Sequence, residues 1–233
     1  MNLQEESLQH QVSERLNSVL MIDLTMLCDL IIDVQLIKNN AALGAKISVS
    51  LSQLSQDRKS SGKALEAARD VTVIGGAAID IISKSESIQP GSSNSHVGKI
   101  IMHEGGSTRN TAECLGRLGL GNRTTFISGV GDDDKRSLIC NSLTSVGLSA
   151  DALCLKAGER TAAFSGILDS NGDFFCGVAD MDVLNFLPRE HLDLFKFWDS
   201  KVLLIDSNIG IESLDYILGR SSGVEHVIYE PIS

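Results

Sequence analysis

From about residue 70 onward, short apolar runs alternate with helix-like segments, and this alternation constrains the fold more than any other feature. Val71–Ile74 is a β-branched run that ends in two glycines, which is typical of a buried strand entering a tight turn. Similar buried runs cover Thr124–Val130, Val202–Asp206 and His226–Tyr229. Because helical patterns separate these runs, we predict an α/β fold with a parallel sheet covered by helices.

Helices are predicted over Ser107–Leu118, Asp133–Val146 and Ile211–Leu218, and Gly119 ends the first of them. The apolar residues of 79–82 continue the first strand, and Val97–Met102 is a further strand candidate.

One pair of runs breaks the parallel order. Ala162–Leu168 and Phe174–Val178 flank the sequence Asp-Ser-Asn-Gly, and Asn-Gly between alternating strands indicates a hairpin. A hairpin joins antiparallel strands, so we predict a small antiparallel piece outside the main sheet.

The first 70 residues follow another pattern. Residues 1–56 are predicted to be helical, because apolar residues from Leu43 to Leu54 recur at helical spacing. Residues 57–70 are largely polar and are predicted to be a linker, so the strand–helix unit covers 71–233.

Composition limits the classes of molecule that the chain can bind and the compartments in which it can reside. The net charge of -10 argues against nucleic acid and anionic membranes, and no apolar run has the length of a membrane span. Met1–Arg15 fits neither a secretory signal nor a transit peptide. The five cysteines contain no CxxC pair, which favours reduced thiols over a zinc site. We therefore expect a cytoplasmic protein that binds a small molecule.

Glu104–Asn110, with the sequence EGGSTRN, is the strongest local motif. Two glycines lead into a helix, where the backbone can approach a ligand and free N–H groups can bind hydroxyls or anions. On spacing alone, a plain turn with Ser107 or Thr108 as the N-cap is the preferred interpretation. The motif is neither GxGxxG nor a Walker loop, so it does not predict a nucleotide phosphate site.

Two acidic motifs follow strands. Asp80 lies near the end of the first strand, where its carboxylate could accept hydrogen bonds from a vicinal diol, or could face water or cap a turn. Asp132–Asp134 precedes a helix, and an N-cap role for one of these residues is preferred to a metal site.

Four stretches together resemble the PfkB family of ribokinase-type carbohydrate kinases, and within it the pseudouridine kinases. They are VTVIGGAAIDI (71–81), EGGSTRNTAECLGRLG (104–119), ISGVGDD (127–133) and TAAFSGILDSNGDFFCGVADMDVL (161–184). The resemblance implies a partial ribokinase-like sheet with a small β lid. It also implies ATP-dependent phosphorylation of the 5'-hydroxyl of pseudouridine or a similar nucleoside or sugar, with ATP and Mg²⁺ as cofactors.

By this resemblance, the sugar is held by Asp80, Gly105, Gly106 and Asn110. Asp80 would bind two ribose hydroxyls and Asn110 another, while the lid hairpin excludes water. Two departures concern this site: Ala78 stands where the family often has Asn, and a glycine expected shortly after Asp133 is missing.

In members of the family, the nucleotide-binding site and the catalytic Asp lie in the part of the sequence that follows the position corresponding to Ser233. We therefore expect no catalytic residue in this chain and no phosphoryl transfer by the chain alone. The strand at Val227–Tyr229 would then present an unpaired edge and recruit a partner in a homo- or hetero-oligomer. The alternative function is a non-catalytic fragment that binds sugar weakly or pairs with another subunit. A Rossmann dinucleotide-binding module is disfavoured, because GxGxxG is absent.

Residues 24–51 resemble the C-terminal helices of pseudouridine-5'-phosphate glycosidase, notably at Leu36–Ala41. That enzyme precedes the kinase in some fused proteins, so residues 1–56 are expected to be a helical remnant without its catalytic residues.

Overall fold

The structure is a computed structural model that describes residues 20–21, 70–88 and 93–231. Its strands are β1 (Leu20–Met21), β2 (Val71–Ile74), β3 (Ala78–Ser85), β4 (Gly98–Gly105), β5 (Thr124–Val130), β6 (Leu153–Leu155), β7 (Ala163–Leu168), β8 (Phe174–Asp180), β9 (Val202–Asp206) and β10 (His226–Glu230). Its α-helices are α1 (Ser107–Leu115), α2 (Asp134–Ser145), α3 (Arg189–Leu194) and α4 (Ile211–Arg220).

The main sheet has six parallel strands in the order β1-β10-β9-β2-β5-β6. Successive residues of a strand point to opposite faces, and here both faces are buried. Val73 and Phe126 pack with α1 and α2 on one face, while Ile74 and Leu203 pack with α3 and α4 on the other. This burial explains the continuous apolar runs and confirms the predicted α/β fold.

A second sheet of four strands has the order β4-β3-β7-β8. β7 and β8 form the predicted antiparallel hairpin, and Asp169 closes its turn by accepting a hydrogen bond from the Asn171 amide at 2.8 Å. β3 pairs with β4 in antiparallel and with β7 in parallel orientation. The antiparallel piece is therefore larger than a hairpin.

The prediction that residues 79–82 continue the first strand is wrong. β2 ends at Ile74, and β3 starts at Ala78 in the second sheet. The amide of Gly76 donates to the carboxylate of Asp206 at 2.9 Å, and the amide of Ala77 donates to Ser128 Oγ at 3.1 Å. These side chains bind the amides of the turn, and the chain crosses to the other sheet.

The first predicted helix ends earlier than expected, at Leu115, and continues as a π turn over Gly116–Leu120. Gly119 has a φ of 82°, the left-handed conformation of a helix stop. Leu118, which was expected to share the apolar face of this helix, is exposed after the turn.

Within the segment 1–56 that was predicted to be helical, the structure describes only Leu20–Met21, and these two residues form a strand. They pair in parallel with Ile228–Tyr229 of β10. The expectation of a bare edge at Val227–Tyr229 is therefore wrong at these positions, because the free N–H and C=O groups of β10 bind another segment of the same chain. The remaining helical, linker and glycosidase predictions lie outside the described residues.

Among the residues that the structure describes, no helix is both long and apolar enough to cross a membrane.

Candidate functional site

The carboxyl edge of the main sheet brings the two Gly-Gly turns together. Gly106 precedes α1 with a φ of 101°, a conformation that favours glycine. A Cβ there would lie 3.1 Å from Cα of Ala77 and closer still to the carbonyl oxygen of Gly76. The start of α1 therefore lies against the turn after β2, and the contact of Gly106 with the sugar stays a prediction.

Asp80 and Gly105 meet where the second sheet joins this edge. Gly105 ends β4 opposite Ala78, and Asp80 lies opposite His103. A Cβ on Gly105 would lie 2.8 Å from Oδ1 of Asp80 and closer still to Oδ2, so only glycine leaves room for this carboxylate. The Asp80 side chain is 28% exposed, and its Oδ2 lies 3.7 Å from Nε2 of His103. Asp80 therefore belongs to the second sheet and not to the end of β2.

Asn110 lies in the first turn of α1, where its backbone N–H donates to the carbonyl oxygen of Gly106 at 2.8 Å. Its side-chain Oδ1 accepts a hydrogen bond of 2.6 Å from Nη2 of Arg109. Sequence reasoning missed Arg109. The signal that could have found it is Glu113, which lies four residues further along the helix and forms an ion pair with Arg109 at 2.7 Å.

Asp206 is the first of two buried carboxylates that the sequence analysis also missed. It ends β9, and its Oδ2 accepts hydrogen bonds from the Gly76 amide at 2.9 Å and from Thr108 Oγ1 at 2.7 Å. Its Oδ1 accepts a hydrogen bond from the backbone N–H of Asn208 at 2.9 Å. Burial raises the pKa of the Asp206 carboxyl, although these hydrogen bonds oppose the change.

Glu230 ends β10 directly beside Asp206 in the strand register. Its Oε1 accepts a hydrogen bond of 2.6 Å from Ser107 Oγ, while its buried Oε2 has no hydrogen-bond partner among the described residues. Burial raises the pKa of Glu230, and the neighbouring charge of Asp206 raises it further. Together, the two carboxylates connect β9 and β10 to the start of α1. The sequence signal that could have found these carboxylates is the acidic residue that ends each of the two apolar runs, 202–206 and 226–230.

Asp133 occupies the N-cap position of α2, as one of the interpretations of Asp132–Asp134 expected, but its side chain makes no capping hydrogen bond. Its Oδ2 accepts from Lys135 Nζ at 2.5 Å and from the Thr161 amide at 3.2 Å. The carboxylate thus connects the start of α2 to the segment that leads into β7.

A parallel sheet with helices on both faces, a smaller sheet at its carboxyl edge and a carboxylate at the junction are typical of α/β proteins that bind a ligand at the carboxyl ends of their strands. The profile described as pfkB family carbohydrate kinase matches residues 68–207, well over half of the 233 residues. The chain belongs to the PfkB family of carbohydrate kinases.

The chain is similar to two curated proteins. It is 32% identical to the pseudouridine kinase of Escherichia coli (strain K12) over 166 residues, which cover 70% of this chain and 51% of the relative. It is 29% identical to the pseudouridine kinase of Arabidopsis thaliana over 167 residues, covering 69% and 42%. The chain thus spans about half the length of the curated relatives it matches.

The fold is also found among solved structures. The ribokinase of Arabidopsis thaliana complexed with ribose and ATP matches with a TM-score of 0.59 and 19% sequence identity, over 71% of this chain and 54% of that one. At this identity the likeness concerns the fold, and it confirms the ribokinase-like architecture predicted for the chain.

Proposed function

We propose that the whole protein phosphorylates the 5'-hydroxyl of pseudouridine or a similar nucleoside, and that residues 70–231 contain its sugar-binding site. The observation that carries the proposal is the Asp80 carboxylate, which lies over Gly105 at the junction of the two sheets and is partly open to solvent. The similarity to pseudouridine kinases supports a nucleoside as the substrate.

The chemistry of Asp80 suits a ribosyl group. An ionised carboxylate accepts hydrogen bonds through both oxygens, so it matches two neighbouring hydroxyls that donate. Hydrogen bonds to a charged group contribute about 1.5–3 kcal/mol each. Asn110 would bind a further hydroxyl from α1, and the backbone of Gly105 and Gly106, which meets the start of α1, would complete the contacts to the sugar.

The second sheet would act as the cover of this site. Asp80 lies on β3, which runs from the junction into the centre of that sheet. A cover that closes over the sugar would exclude water, which otherwise competes for the transferred phosphoryl group.

ATP is the phosphoryl donor that membership of the family implies, and Mg²⁺ would accompany it. The described part of the chain has no group of three or more His, Cys, Asp or Glu side chains that could hold a metal ion. We assign neither ATP nor Mg²⁺ to any of the described residues.

The proposal is tested by titrating the chain with pseudouridine and with 2'-deoxypseudouridine. The dissociation constant of each nucleoside is measured by calorimetry or from the amide shifts in NMR spectra. Asp80→Asn keeps the shape of the side chain and removes its charge, so affinity should fall about tenfold or more. Asp151→Asn, at an exposed loop position, is the matched control and should bind as the wild type does. Equal affinities for wild type and Asp80→Asn would show that Asp80 does not bind the sugar.

Phosphoryl transfer is measured separately, with ATP, Mg²⁺ and pseudouridine, by chromatography of the nucleotide product. Binding without product is the result expected of this chain alone, and it agrees equally with the alternative of a non-catalytic binding module. Product that depends on Asp80 would favour the kinase.

A further inference from the structure

Arg109 is a buried cation beside the proposed sugar site. Its residue is 3% exposed, and a guanidinium is rarely buried to this degree unless it is paired. Nη1 donates to Ser142 Oγ on α2 at 2.7 Å and lies 2.7 Å from Oε2 of Glu113 on α1. Nη2 donates to the carbonyl oxygen of Glu104 at 3.0 Å and to Oδ1 of Asn110 at 2.6 Å. Three acceptors on α1 and β4 thus fix the plane of the guanidinium, and Ser142 adds a bond to α2.

This arrangement decides the orientation of the Asn110 amide. A guanidinium carries only donors, so the Asn110 atom that faces Arg109 must be the oxygen. Rotation of the amide by half a turn would place two N–H donors against another donor. The nitrogen Nδ2 is therefore held on the other side of the amide, where it can donate to a ligand.

We propose that Arg109 is a positioning residue, which holds the Asn110 amide so that the sugar site presents a hydrogen-bond donor at Asn110 and an acceptor at Asp80. This inference rests on the proposed function. It specifies the ligand further: the group at Asn110 must accept a hydrogen bond, as a hydroxyl oxygen or a carbonyl does, while the groups at Asp80 must donate. Holding one orientation in advance also lowers the entropy lost on binding.

A purely structural role for Arg109, as a connection between α1 and α2, makes different predictions. Ser142→Ala removes the bond to α2 and leaves the Arg109–Asn110 bond in place. If the connection alone matters, this variant should impair ligand binding as much as changes at Asn110 do. Under our proposal, Ser142→Ala lowers stability and leaves the affinity for pseudouridine unchanged.

The decisive variant is Asn110→Asp, which keeps the shape of the side chain and its bond to Arg109 but replaces the donor by an acceptor. We expect it to weaken pseudouridine binding at least as much as Asn110→Ala does, by about threefold to tenfold relative to wild type. Arg109→Met, which lets the amide rotate, should weaken binding by a smaller factor; its melting curve shows whether the variant is folded. Wild-type affinity in Asn110→Asp would mean that the ligand donates to Asn110, and this result would overturn the proposal.

A second measurement needs no ligand. In the nitrogen-15 spectrum of the free protein, Asn110→Ala should shift the Arg109 Nη2 resonance, whereas Ser142→Ala should affect mainly Nη1. An unchanged Nη2 resonance in Asn110→Ala would refute the Arg109–Asn110 bond. If the wild type binds no nucleoside, the proposed function fails, and this spectrum still decides whether Arg109 positions Asn110.

Discussion

The two sheets contain the same types of apolar residue but bury them to different extents. In the main sheet, Val73 and Phe126 are completely buried between helices. In the second sheet, Ile100, Phe174 and Val178 are 73%, 54% and 72% exposed, although they too are β-branched or aromatic. Apolar composition alone therefore does not tell where a fold obtains its stability, since the free energy gained depends on the area removed from water.

The proposed site lies at the junction of these two regions. Asp80 belongs to the exposed sheet, whereas Asp206 and Glu230 end strands of the buried one. A region with few buried apolar contacts opens at a lower free energy than a packed core does. The comparison therefore suggests a stable half that holds α1 and a more easily displaced half that carries Asp80.

The largest expected effect is a difference in the free energy of unfolding between matched variants of the two sheets. Phe126→Ala leaves a cavity in the main core and should lower the free energy of unfolding by about 3–5 kcal/mol. Phe174→Ala is the matched change in the second sheet, where the ring is half-exposed and stacks on Phe164. It should cost about 1 kcal/mol or less. Urea denaturation of both variants measures the difference, and equal losses would contradict the division into a stable and a weakly held region.

An intermediate effect is expected at the junction. In Gly105→Ala the new methyl group would overlap the Asp80 carboxylate and displace it. Pseudouridine affinity should then fall about tenfold, as for Asp80→Asn, because the same charged hydrogen bonds are lost. Gly166→Ala in β7 is the control, since its Cβ would meet only side chains, the nearest being Phe164 at 3.0 Å. If both variants bind as the wild type does, Gly105 is not needed to place Asp80.

The smallest effect concerns pH and the buried edge of the main sheet. The native pKa of Glu230 is raised by burial, so the native state holds its proton at a pH where the unfolded state has lost it. The free energy of unfolding therefore falls as pH rises from the ordinary pKa of 4.5 through the raised native pKa. Glu230→Gln removes this charge and should be more stable than wild type above that window, by on the order of 1 kcal/mol per unit of pKa difference.

Denaturation series between about pH 5 and pH 8 test this prediction, with the exposed Glu225→Gln as the control. The dependence should be reduced and not abolished, because the pKa of Asp206 is raised as well. A steeper loss of stability with rising pH in Glu230→Gln than in wild type would show that the Glu230 carboxylate is stabilised by its surroundings.

The sequence by itself determined four of the six strands of the main sheet, namely β2, β5, β9 and β10, whereas β1 and β6 were not predicted. β5 and β9 have the predicted bounds, and the hairpin of β7 and β8 lies around Asn171 as expected. These features depend on local period and on turn residues, so a window of a few residues contains the information. The Gly-Gly motif before α1 could also be identified locally, because its backbone conformation favours glycine.

Only the tertiary structure decided how these elements meet. The chain leaves β2 for the second sheet at Gly76, whose amide is bound by Asp206, 130 residues further along. Glu230 reaches Ser107 over a separation of 123 residues, and Arg109 reaches Ser142 on another helix. Hydrogen bonds between such distant residues leave no period in the sequence, because they depend on which strand ends and helix starts the fold places side by side. For that reason the type of fold could be predicted from the sequence, whereas the buried carboxylates and the orientation of Asn110 could not.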